Sequence, residues 1–546
     1  MDRRALLTTG LTTGLTTALA ATAGCAGPGP ADPRPAPSSP LSPSVPSAPP
    51  SPSSSASPPG SPAPSTGAGR APSWKALAEG LDGLLVLPGD EAYATARQLY
   101  NRRFDGLRPA AVAYPAGEED VRECLAFARR HGIRVAARNG GHSYGGWSSG
   151  DGRLVVDVSR LAGVEADGGS GAVVGAGARL VSVYRALAAR GRTVPAGSCP
   201  TVGVTGLTLG GGHGVVSRAY GLTCDSLEAA TLVTADGRTV RASAEEEPDL
   251  LWALRGGGLA GFGVVTGLRF RTHPAPPTVT AYLGWPWPRA RAVLAAWQEW
   301  GPDQPDEVWS QLHLSAGAGG GTPSVTVTAL TLGGRGDLED ALDRLVDRVG
   351  APAPSVALRE RGFLEAMLAF AGCADLTDEQ CRLPGSLPGR SPRGALGRET
   401  YTALSDFFDR PLPRAAQAAL TTAVESFART TVEEGGGGGS VALTALGGAV
   451  NRVAPSATAF VHRRSRMLAQ YNASWRPGTP GTAQERWLRR TRDAMRRYAS
   501  GRAYQNYPDP ALAGWRRAYY GEAADRLAAL RGRYDPAGLF AHTQSP

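Results

Sequence analysis

The chain has 546 residues, a formal net charge of +9 and 42% apolar residues, which makes it too long for one ordinary core. The positive charge is almost all arginine, scattered and without a dense basic stripe or a zinc finger, so a nucleic-acid partner is not expected. Beyond the first residues no apolar run approaches a membrane span.

Residues 1–25, MDRRALLTTGLTTGLTTALAATAGC, have a charged start, a weakly apolar run and a small-residue exit, the pattern of an export signal. Arg3 and Arg4 followed by Leu6 and Leu7 partly match a twin-arginine signal, which predicts the twin-arginine export machinery as a partner. Thr22 to Cys25 resembles a lipoprotein box that lacks its usual leucine. Cys25 is therefore either lipidated, the sole membrane anchor expected, or lost by cleavage nearby. Residues 26–73 are a Pro/Ser-rich tether that suits a secreted or cell-surface protein.

From 74 to 275 short β-type runs alternate with helices: AVAYP, a helix over Glu118–His131, RVAAR, LVVDV, AVVGAG, a helix over 179–190 and FGVVTGLRF. DSLEAATLVTADGRTVRA predicts a hairpin turning at Asp236 and Gly237, so the class is α+β rather than doubly wound. Residues 276–499 read as a second unit for substrate, an antiparallel sheet backed by helices. Its strand candidates are TVTAYLGW, VWSQLHLS, SVTVTALTL and SVALTALG, with a helix over 337–349. The run Gly435 to Gly439 predicts a mobile loop. Residues 500–546 carry AYQNYPDP and a helix ending at RYDPAGLF, a C-terminal segment expected to return to the first unit.

Six cysteines, at 25, 124, 199, 224, 373 and 381, form no C-x-x-C pair, and no metal site is expected. Cys124 shares a helical face with Val121, Leu125 and Ala128 and reads as a core thiol. Cys373 and Cys381 flank a short polar segment and, in an oxidising compartment, are expected to form a local disulfide.

GHSYG, Gly141 to Gly145, fits the nucleophile elbow of a serine hydrolase. An elbow requires a helix after the serine, yet GWSSGDG and the strand LVVDV follow, so Ser143 is not read as a nucleophile. Gly256, Gly258 and Gly261 satisfy G-x-G-x-x-G but lead into a strand where a dinucleotide fingerprint needs a helix. Two glycine-rich loops remain, RNGGHSYGG with His142 and AGSCPTVGVTGLTLGGGHG with Cys199. Bare backbone along such loops can wrap a pyrophosphate and approach a flat ring. An imidazole nitrogen and a thiolate in those walls are nucleophiles toward an electrophilic ring.

These loops, together with FDGLRPAAVAYPAGEEDV, YGLTCDSL, DLLWALRGGG, FGVVT, YQNYPDP and RYDPAGLFAHTQS, resemble the berberine-bridge-enzyme-like group of FAD-linked oxidases in the p-cresol-methylhydroxylase and vanillyl-alcohol-oxidase superfamily. The resemblance runs from about Tyr100 to the C-terminus. It implies a two-part FAD-binding domain of that superfamily's type plus a substrate domain, and FAD bonded at its 8α-methyl carbon to His142 and at C6 to Cys199. Two bonds on the benzenoid edge would orient the ring and retain it outside the cell. By the same resemblance Asn139, Gly140 and Gly141 line the pyrophosphate. Gly203, Gly206, Gly210, Gly211 and Gly212 surround the rest, with Ser143 and Asn506 beside the cofactor. Val202 stands where a small residue favours reaction with oxygen, which implies an oxidase that forms hydrogen peroxide from O2. The Y-x-N-Y motif is Tyr504, Gln505, Asn506, Tyr507, and either Tyr507 or Tyr504 is the base that takes the substrate proton. FVHRRSRMLAQYNASW places Gln470 near the reactive end of the flavin and Tyr471 by the substrate. Departures are His213, which either meets substrate or packs, Gly261, Thr205 and Leu207. The implied reaction is oxidation of an alcohol, a sugar hemiacetal or a natural-product hydroxyl. Amine oxidation, a dehydrogenase with a non-oxygen acceptor, and a surface binding protein without chemistry are the rivals.

Overall fold

The computed structural model describes residues 72–429 and 435–546. The export signal with Arg3, Arg4 and Cys25, and nearly all of the tether, lie outside the described residues.

A four-stranded sheet opens the described chain, in the order Leu84–Val86, Ala111–Tyr114, Leu154–Asp157, Val135–Arg138. The first pair is antiparallel and the other two pairs are parallel. Glu118–His131 is the crossover helix. Glu118, Glu119 and Asp120 sit in its first turn and Arg129, Arg130 and His131 in its last, matching the helix dipole, and Gly132 ends it in the left-handed region at φ 63°. Its buried face carries Val121, Leu125, Ala128 and the fully buried Cys124 thiol.

A five-stranded antiparallel sheet follows, ordered Val164–Ala166, Gly171–Gly175, Val264–Arg271, Leu227–Val233, Thr239–Ala242. Its last two strands form the hairpin expected at Asp236 and Gly237.

The third layer is a seven-stranded antiparallel sheet ordered Ser355–Arg361, Thr278–Trp285, Ser324–Thr331, Val308–Gly317, Gly438–Ala445, Met467–Ser474, Tyr401–Phe408. Side chains alternate across it with period two. Leu312, Leu314, Leu443, Ala469 and Tyr471 enter a core shared with the helices Ala290–Trp300, Arg335–Val349, Arg414–Ala428 and Thr482–Met495. The opposite face, with Trp309, Gln311 and Tyr401, turns toward the glycine-rich loops. Gly438 and Gly439 open a strand instead of belonging to a loop, because a Cβ at Gly439 would fall on the Phe427 ring and only glycine lets the strand lie against that helix. Cys373 and Cys381 are joined, with Cα atoms 5.7 Å apart. The last segment returns to the first sheet, where Val135 N donates to Leu539 O at 2.9 Å and Trp147 stacks on His542 at 4.0 Å.

Candidate active site

The loop after Val135–Arg138 and the loop before the helix Val204–Leu209 meet backbone to backbone. A Cβ at Gly140 would lie 2.7 Å from Thr201 O and against Gly203 N, so any other residue would prise the two walls apart. The Asn139 side chain is used up within the wall, donating to Ala176 O and accepting from Arg179. Ser143 Oγ accepts from Trp147 N at 3.2 Å and closes a turn, and no helix follows it before the strand Leu154–Asp157.

These walls and the open face of the large sheet enclose a cavity of about 310 Å3. Its lining brings together Asn139, Gly140, Gly141, His142, Ser143, Cys199, Val202, Gly203 and Gly206 with His213, Tyr504, Asn506 and Tyr507. The two reactive wall residues thus share one cavity.

His142 stacks on Tyr100 with ring centroids 4.0 Å apart, and its Nε2 lies 2.9 Å from Thr201 Oγ1. Burial, with help from the Arg179 charge, pushes its pKa down to about 3, so the imidazole is neutral at any ordinary pH. When Nε2–H donates to Thr201, the lone pair resides on Nδ1. Cys199 lies in the same lining.

At the other end Tyr507 Oη lies 2.8 Å from His213 Nε2. Burial lowers the His213 pKa to about 4, which leaves a neutral ring able to accept a proton. Tyr504 Oη accepts from Gly212 N at 2.8 Å and Asn506 Nδ2 at 2.9 Å. Those two donors favour a phenolate, yet burial dominates and both tyrosine pKa values are raised, not lowered.

Five sequence expectations need correction. Gln470 does not line the cavity; its Nε2 donates to Tyr144 Oη at 3.0 Å, and Tyr144 stacks on Tyr507 at 5.0 Å. Tyr471 points the opposite way, fully buried among the sheet-backing helices, because neighbours along a strand face opposite sides. Gly210, Gly211 and Gly212 are absent from the lining: a Cβ on each would strike Asn506, Phe460 and Thr223 respectively. Gly210 thus admits Asn506 of the Y-x-N-Y segment and Gly212 N donates to Tyr504 Oη, while Gly211 and Gly212 also make room for Phe460 and Thr223. Sequence reasoning missed Tyr144, Trp309, Gln311 and Tyr401, all in the lining. Alternation along VWSQLHLS would have put Trp309 and Gln311 on one face.

Four buried polar atoms of the lining residues, Arg138 Nη1, Ser148 Oγ, His213 Nδ1 and Trp309 Nε1, have no partner among the described residues. Buried polar atoms are ordinarily satisfied, so the cavity fits a ligand with polar edges as well as a flat body, as FAD has. No group of residues suited to a metal ion occurs among the described residues, and no helix there is long and apolar enough to cross a membrane.

An α+β scaffold with bare-backbone walls facing an antiparallel substrate sheet defines an FAD-linked oxidoreductase of the p-cresol-methylhydroxylase type. Residues 109–243 match the FAD binding domain family and residues 503–545 the "Berberine and berberine like" family. The chain belongs to the berberine-bridge-enzyme-like FAD-linked oxidoreductases. It is 30% identical over 472 residues to the FAD-linked oxidoreductase YgaK of Bacillus subtilis, covering 85% of this chain and 97% of the relative. With the chitooligosaccharide oxidase of Gibberella zeae it shares 30% identity over 84% of this chain and 91% of that one. Among solved structures, Physcomitrella patens BBE-like 1 superposes with a TM-score of 0.76 at 30% identity, over 86% of this chain and 98% of its own. The xylooligosaccharide oxidase of Myceliophthora thermophila in complex with xylobiose gives 0.74 at 28% identity, again over 86% and 98%.

Proposed function

We propose that this FAD-linked oxidoreductase is an exported oxidase that removes two electrons from an alcohol carbon of a carbohydrate and gives hydrogen peroxide. Bound FAD would supply the hydride acceptor and the route to O2. The observation that carries the reading is the Tyr507–His213 contact of 2.8 Å inside the cavity. Tyr507 takes the substrate hydroxyl proton as its own phenolic proton passes to His213 Nε2, so no lasting buried phenolate is needed. Tyr504, fixed by two N–H donors, orients the substrate oxygen. Gln470 acts through Tyr144 as a positioning residue. Trp309, Tyr144 and Tyr401 offer flat apolar surface and Gln311 an amide to a sugar ring, and relatives named chitooligosaccharide and xylooligosaccharide oxidases support a carbohydrate.

For the cofactor, backbone at Asn139, Gly140 and Gly141 would hold the pyrophosphate, with Gly203 and Gly206 along the ring. His142 and Cys199, both in the lining, would bond to the 8α carbon and to C6 respectively. Val202 in the lining supports oxygen access. The division into 74–275 for FAD, 276–499 for substrate and 500–546 as a returning segment is proposed with it, as are export by the twin-arginine route and an anchor at Cys25. A peroxide-coupled screen of oligosaccharides, simple alcohols and amines in air tests the reading. Peroxide with oligosaccharides supports it; a yellow protein silent with every sugar sinks the carbohydrate, and substrate-driven flavin bleaching without peroxide makes the enzyme a dehydrogenase.

A further inference from the structure

The Arg138 to Gly141 loop has a second cavity. It measures about 40 Å3 and shares only Arg138, Asn139, Gly140 and Gly141 with the large one, so the loop is a partition between them. Its charged lining is three guanidiniums, Arg138, Arg179 and Arg390, against one carboxylate, Asp157. The Arg138 side chain is 3% exposed; Nε pairs with Asp157, Nη2 donates to Ala96 O at 2.7 Å, and Nη1 is buried with no partner. Arg179 donates to Asn139 Oδ1, Gly177 O and Ser159 Oγ, and Arg390 to Pro384 O and Gln98 Oε1, none of them charged. Asp157 thus answers one of three positive charges. Burial, then repulsion from Arg398, Arg138 and Arg179, pushes the Arg390 pKa down to about 10.

Converging cations without counter-charge are costly away from water, and a guanidinium fork fits the paired oxygens of an oxyanion. We propose that this pocket binds one small inorganic oxyanion of the phosphate or sulfate class between Arg138, Arg179 and Arg390. Through the Arg179–Asn139 bond the bound ion braces the partition from behind. The site is independent of the reaction proposed above.

Equilibrium dialysis of the flavin-loaded full chain against labelled inorganic phosphate should find one ion per chain, displaced by sulfate, and bound about tenfold more weakly by Arg390→Gln and by Arg179→Gln. The melting temperature should rise with phosphate at constant ionic strength, and the rise should vanish in either variant that still melts cooperatively. Absence of saturable binding, undiminished binding by Arg390→Gln, or an equal rise with chloride would overturn the proposal. So would binding confined to flavin-free chain, which assigns the guanidiniums to the dinucleotide's own phosphates.

Discussion

Gln470 and Tyr144 lie 326 positions apart in the chain and are joined by a hydrogen bond of 3.0 Å that crosses from the substrate sheet to the first glycine-rich wall. Tyr144 in turn stacks on Tyr507. Gln470→Met keeps the volume and deletes the donor, at a cost of about 1 kcal/mol in the placement of Tyr144. Steady-state kinetics should show kcat lowered about fivefold, and Tyr144→Phe should do the same. The double variant should be no worse than either single one; additive losses would show that Gln470 acts elsewhere.

Tyr507→Phe should slow anaerobic flavin reduction by substrate about 100-fold or more, the usual weight of a positioned base. Tyr504→Phe, which removes an orienting hydroxyl, should cost less and raise KM. The reverse ranking in stopped-flow traces would make Tyr504 the base.

Intact-mass measurement of wild-type chain should show one FAD adduct. Peptide mapping of His142→Ala should leave it on Cys199, and of Cys199→Ala on His142. A Cys199 peptide of the wild-type chain free of flavin would restrict the attachment to His142.

Acid should weaken the fold well above the carboxylate range. His142 and His462 are lowered to about 3, and His213, His273, His313 and His542 to about 4, all chiefly by burial. Their unfolded values lie near 6.5, so between about pH 6.5 and 4 the unfolded chain binds protons that the folded chain refuses. Stability from these groups is complete above 6.5 and is lost as pH falls through that window. Asp406, raised to about 6 by burial, and Asp535, also raised by burial, oppose them, but they are two groups against six. Urea midpoints at pH 7.5, 6, 5 and 4.5 should fall steadily; a flat series would contradict the burial of the imidazoles.

Local pattern carried the architecture far. TVTAYLGW is a strand over Thr278–Trp285 and the helix spans Glu118–His131, since periodicity and capping are properties of neighbours in sequence. The site was legible where a reactive side chain lies in a bare loop, as with His142. It was misread where the reason for a residue lies far along the chain. Gly210 to Gly212 are small because Asn506, Phe460 and Thr223 press on them, and nothing in LTLGGGHG announces those partners. Tyr471 is different: strand alternation forbids it from sharing a face with Gln470, so that error was avoidable.

The bond from Asn506 Nδ2 to Leu207 O, at 2.9 Å, joins residues 299 positions apart. During synthesis the walls around Leu207 leave the ribosome long before the segment that closes them. The strands of the large sheet lie between the two in sequence. Until Asn506 arrives, Gly210 faces no partner and Tyr504 is not yet in place, so the cavity stays open on that side while the chain grows. The cavity is therefore completed by the last segment of the chain, after both of its glycine-rich walls have been made.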